Sequence, residues 1–95
     1  TSEDYTDYAQ VLINAAKGYI SPEAELSLKR ALKLDQNNRR ARYFLGLFMS
    51  QIKRPDLALN IWNKMLTDIK IDDIWSSRIR VRIVDVERLA GLRND

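Results

Sequence analysis

The 95-residue sequence contains no cysteine and no histidine. The first absence rules out disulfides and thiolate metal sites, and the second removes the usual general base. Glycine and proline are scarce, at three and two residues. So few chain-breakers favour long helices over a turn-rich β fold. No apolar run approaches the ~20 residues needed to cross a bilayer. The longest near the centre is Tyr43 to Met49. No signal-peptide pattern opens the chain, and the missing initiator Met suggests a piece of something longer. Neither sign of charge dominates: 16 Lys and Arg against 13 Asp and Glu leave +3, too little alone for a nucleic-acid footprint. No phosphate-binding glycine loop is visible. What is present, 45% hydrophobic and 31% charged residues, suits one globular domain. These absences argue for a protein that is not an enzyme and carries no cofactor.

The central stretch, Arg39 to Lys70, organises the rest. Two apolar helical faces are separated by the polar break Lys53-Arg54, and Pro55 opens the second. Gly46 in the first face and Ala58 in the second are small residues where two antiparallel backbones can cross, and Trp62 can fill the space beside them. The pattern resembles the tetratricopeptide repeat, Leu-Gly in one helix and a small residue before an aromatic in the next. Arg42, Met49, Trp62, Met65 and Lys70 depart from its usual residues.

Upstream, Thr1 to Thr6 reads as a polar lead-in. Tyr8, Val11, Leu12, Ala15 and Ala16 have helical spacing, with Thr6 or Asp7 as cap and Gly18 as stop. Ser21-Pro22-Glu23 is a strong helix start. Ala24, Leu28, Ala31, Leu32 and Leu34 then supply a buried face. Ala24 and Ala58 are 34 residues apart, as are Leu28 and Trp62, and Val11 and Leu45. That interval is the tetratricopeptide period. Downstream, Asp72-Asp73 caps a final helix carrying Trp75, Ile79, Ile83, Val86 and Leu89-Ala90. Arg78 to Ile83 alternates with period two, but a lone strand would have no partner.

The expected fold is all-α: two tetratricopeptide hairpins (about 5–38 and 39–71) and a capping helix (about 72–92) in a right-handed α-solenoid. The first helices of the pairs should form a concave wall. Ala9, Ile13 and Ala16 would line one side, and Arg40, Tyr43, Leu47 and Ser50 the other, with Asn38 at the rim. An apolar floor with a basic edge suits a peptide or amphipathic helix; alternatively these residues simply pack on their neighbours. Arg39, Arg40 and Arg42 crowd a helix start, where cations oppose the dipole; a partner's carboxylate would relieve that, or more simply they are solvated or paired with Asp35. Arg78, Arg80, Arg82 and Arg88 lack interleaved aromatics, so nucleic acid is not the expected partner.

Several segments together resemble one family. They are Tyr8-Ala9-Gln10-Val11-Leu12, Ser21-Pro22-Glu23-Ala24, Ala31-Leu32-Lys33-Leu34-Asp35, Arg40 to Leu47, Lys53 to Trp62, and Trp75. This is similar to the C-terminal tetratricopeptide domain of the CcmI/CycH proteins of bacterial cytochrome c biogenesis, and more weakly to NrfG proteins. The resemblance implies a periplasmic chaperone module that binds the C-terminal helix of apocytochrome c and presents it to the haem-ligation machinery. It also implies membrane anchoring by helices that this stretch does not contain. A generic repeat scaffold, self-associating through its edges, is the alternative.

Overall fold

A computed structural model describes residues 1–69 and 73–93. Among them run α1 (Ser2–Ala15), α2 (Pro22–Leu34), α3 (Arg39–Gln51), α4 (Pro55–Asp68) and α5 (Ile74–Leu89). Each helix packs on the next in chain order. The fold is all-α, two hairpins and a closing helix, as in a tetratricopeptide-like stack. Arg78 to Ile83 lies inside α5, so the period-two alternation marks a helix with charged flanks.

Helix starts follow local chemistry. Thr1 forms a capping box with Asp4, so α1 begins at Ser2. The polar lead-in expected from the sequence is therefore the first turns of a helix, and neither Thr6 nor Asp7 is its cap. Thr6 is fully buried, whereas Tyr8 and Val11 are 48% and 64% exposed. The buried face of α1 is Thr6, Ala9 and Ile13. It is rotated from the expected one because the Thr6 hydroxyl finds partners inside the fold, donating to Ser2 O and accepting from Asn38. Ser21 caps α2 with Pro22 at its first position, as expected. Ala24, Ser27, Leu28 and Ala31 are buried. Leu34 lies at the helix end, 61% exposed, not in the buried face. Asn38 caps α3 and Asp73 caps α5. Lys70, Ile71 and Asp72, to which the sequence assigned the repeat boundary and part of that cap, lie outside the described residues.

Helices α1, α3 and α5 end alike. An amide bonds the carbonyl five residues back, Gly18 to Ile13, Arg54 to Met49 and Leu92 to Glu87, each at 2.8 Å. The preceding residue is left-handed in each case: Lys17 (φ 55), Lys53 (φ 63) and Gly91 (φ 76). This is the Schellman closure. Lys17 takes the position expected of Gly18, which follows with φ 98.

The core has two parts. Ala9, Ile13, Ile20, Ala24, Leu28, Ala31 and Ala41 fill the first. Tyr43, Ala58, Trp62, Met65, Ile79, Ile83 and Val86 fill the second, and Phe44 and Leu47 touch both. Trp62 is fully buried and its indole N–H donates to Tyr43 O at 3.3 Å. Burying such a ring contributes roughly 4–6 kcal/mol by area. It crowds Gly46: a Cβ there would meet Trp62 Nε1 at 2.2 Å and Cε2 at 2.5 Å.

Two stability predictions follow from these contacts. Gly46→Ala gains about 1 kcal/mol of helix propensity but must displace the indole, and overpacking costs about 1–3 kcal/mol. Urea melts should show a net loss in the parent and a neutral or stabilising effect in a Trp62→Leu background. Stabilisation in both backgrounds would show that the close approach is not limiting. Lys53→Gly relieves a left-handed side chain and should raise stability by roughly 0.5–1 kcal/mol; a fall in urea midpoint would contradict that account.

A candidate peptide groove

The parallel helices α1 and α3 are tied together at both ends by polar side chains. At one end Asn38, only 4% exposed, accepts from Ala41 N through Oδ1. Its Nδ2 donates to Ser2 Oγ, Glu3 Oε1 and Thr6 Oγ1 at 2.9, 2.9 and 3.1 Å. Beside it, Arg40 donates to Gln10, Glu3 and Asp7 at 2.7, 2.9 and 2.5 Å. Burial works against its charge, but hydrogen bonds to Asp7 and Glu3 outweigh this and raise its pKa above the ordinary value. At the other end Gln51 brackets Ile20, accepting from its N–H at 2.8 Å and donating to its carbonyl at 2.9 Å.

Between these ties and α5 runs a trough of about 750 Å³. Ile13, Tyr43, Phe44 and Leu47 form its apolar floor, Gln10 and Asn14 one wall, and Ile74, Ser77, Arg78, Val81 and Arg82 the other. It adjoins a second depression of 310 Å³ holding Leu47, Ser50, Arg82, Asp85, Val86, Arg88 and Leu89. Ile74, Val81 and Leu89 are 73%, 60% and 86% exposed. Tyr43 anchors the α5 wall: its hydroxyl accepts from Arg82 Nε at 2.9 Å and its ring meets Trp75 edge-on at 5.4 Å.

Of the residues assigned to the groove from the sequence, Ile13, Tyr43 and Leu47 line this trough and Ser50 lines its extension. Ala9 is fully buried and Asn38 nearly so; both hold helices together. Ala16 is exposed at the end of α1, and Arg40 is engaged with α1. The crowded arginines do not pair with Asp35. Arg39 pairs with Asp73 at 2.8 Å and Arg42 with Asp68 at 3.2 Å, because folding brings the end of α4 and the start of α5 to the start of α3.

The sequence reading missed Phe44, Gln10, Asn14 and the α5 wall. The repeat interval held the signal. Ile13, Leu47 and Val81 stand at successive 34-residue steps, as do Gln10, Phe44 and Arg78. Leu89 is exposed, not part of the buried stripe of α5, which is Ser76, Ile79, Ile83 and Val86.

No family model matches this chain, and no solved structure matches it. Two curated proteins do. It is 32% identical over 84 residues to the cytochrome c-type biogenesis protein CycH of Bradyrhizobium diazoefficiens, covering 88% of this chain and 23% of that protein. It is 29% identical over 79 residues to the protein of the same name from Rhizobium meliloti, covering 83% of this chain and 21% of that one. The chain thus spans less than a quarter of the length of these relatives.

Asn38→Asp separates the two duties of Asn38. Aspartate caps as well as asparagine, but it loses the bonds that the two amide hydrogens share among Ser2, Glu3 and Thr6 and places a carboxylate beside Glu3. Thermal melts at pH 7 should show destabilisation of about 1–3 kcal/mol. A variant as stable as the parent would reduce Asn38 to a simple cap.

Proposed function

We propose, from the resemblance of this chain to the CcmI/CycH proteins that both relatives support, that it is a binding module of c-type cytochrome maturation. Its groove holds the C-terminal helix of an apocytochrome c, on the periplasmic side of the inner membrane, for delivery to the haem-ligation machinery. The module binds and presents; it performs no reaction itself. The relatives' name, cytochrome c-type biogenesis protein, supports the setting. Among the described residues no helix is long and apolar enough to cross a membrane, so anchoring in this reading belongs to other parts of a longer protein.

One observation carries the proposal. The apolar floor of Ile13, Phe44 and Leu47 continues onto a wall whose Ile74 and Val81 lie mostly in solvent. Packing within the domain does not account for that exposure. An amphipathic helix laid along the trough would cover the stripe with its own apolar face.

The test is titration of the domain with a peptide of an apocytochrome c C-terminal helix. Val81→Asp, at a 60% exposed position, should weaken binding at least about tenfold, as an unpaired charge in an apolar contact does, with an unchanged melting curve. Tyr43→Ala is unsuitable, because Tyr43 is 5% exposed and deleting a buried ring costs about 3–5 kcal/mol. Absence of binding at high micromolar peptide, or unaltered binding by Val81→Asp, would defeat the proposal. A dimer in sedimentation that takes up peptide only on dilution would favour a self-associating scaffold.

A further inference from the structure

Arg78 and Arg82 face the trough from the α5 wall. Among the described residues neither forms an ion pair, although Arg39, Arg40, Arg42 and Arg54 each hold a carboxylate. Aromatic groups fix them instead. The Arg78 guanidinium lies 4.8 Å from the centre of the Trp75 ring, and Arg82 Nε donates to Tyr43 Oη at 2.9 Å. The other polar side chains among the described residues lining this trough are Gln10, Asn14 and Ser77, and no carboxylate is among them. Asp85 stands further along α5, in the adjoining depression. Two cations held by aromatic groups therefore stand beside an apolar floor.

Resting on the groove reading, we propose that the occupant is an amphipathic helix bearing two acidic side chains one turn apart beside its apolar stripe, which pair with Arg78 and Arg82. The two arginines are four residues apart, about 6 Å along one helix face, the spacing at which a second helix presents carboxylates at i and i+4. They also lie partway along the track from Ile74 to Leu89, which extends over about 22 Å of helix. A helix filling that track passes them with its flank. The structure thus assigns the contact to side-chain carboxylates and not to a chain terminus.

The experiment uses 16-residue designed helical peptides with a leucine stripe, carrying either a Glu pair or a Gln pair at i and i+4, each with a free or an amidated C-terminus. The Glu peptides should bind roughly three- to tenfold tighter than the Gln peptides at low salt. The gap should narrow at about 0.5 M salt and vanish in Arg78→Gln/Arg82→Gln. Arg78→Gln alone, which breaks no hydrogen bond among the described residues, should remove about half of it on a logarithmic scale. Amidation should leave it unchanged. Equal binding of Glu and Gln peptides by the parent overturns the acidic-pair proposal while leaving the groove standing. A preference that survives in the double variant, or that disappears on amidation, also overturns it. Failure of every peptide to bind removes the groove reading and this proposal with it.

Discussion

The contact between the Trp62 indole and the bare backbone of Gly46 is the constraint on which the second half of the fold depends. With no side chain at Gly46, α3 comes close enough to α4 for the indole N–H to reach Tyr43 O, 3.3 Å away. That bond satisfies the polar atom of a ring otherwise enclosed by apolar groups. The Tyr43 hydroxyl in turn accepts from Arg82 Nε, and its ring meets Trp75 edge-on. Trp62 and Met65 also provide the surface on which Ile79, Ile83 and Val86 are buried. The position of α5, and with it one wall of the trough, follows from where a single indole lies.

The first hairpin solves the same problem with volume divided differently. At the interval of 34, Leu12 corresponds to Gly46 and Leu28 to Trp62. Two medium side chains replace one large and one absent, which is why repeat arrays tolerate such varied sequences: interior volume must be filled, but not by one prescribed pair. Polar groups fix what apolar packing leaves free. Asn38 saturates its amide among Ser2, Glu3, Thr6 and the start of α3, so its burial costs little once satisfied. Because α1 and α3 are parallel, their N-termini lie side by side, and the same cluster serves both.

The architecture was readable because close helix crossings demand small residues at fixed intervals, and Ala24, Gly46 and Ala58 are conspicuous in a chain with few glycines. Strong caps at Ser21-Pro22 and Asp73 are local chemistry and were read correctly. The start of α1 was not legible. A polar run such as Thr1 to Thr6 reads as solvated until its buried partner, 32 residues downstream, is known. Arg39, Arg40 and Arg42 were misread for the same reason, their carboxylates being brought in from α1, α4 and the start of α5. Ala9 is a small residue on the concave side of α1, and sequence spacing does not distinguish a residue facing a groove from one closing it.

The α5 wall shows how a sequence period becomes a surface. Side chains at equal intervals in a stack of similar units fall on one line, because each unit repeats the placement of the last. Ile13, Leu47 and Val81 are such a line, and they pass from buried to half-buried to 60% exposed along it. The gradient has a geometric cause. Ile13 is covered by its own hairpin and Leu47 touches both core clusters, but Val81 belongs to a helix that packs on α4 through its opposite face. A helix that serves only to close a stack needs apolar residues on that one face. α5 carries a second stripe of Ile74 and Val81, with arginines held beside it, that packing among the described residues leaves 73% and 60% exposed.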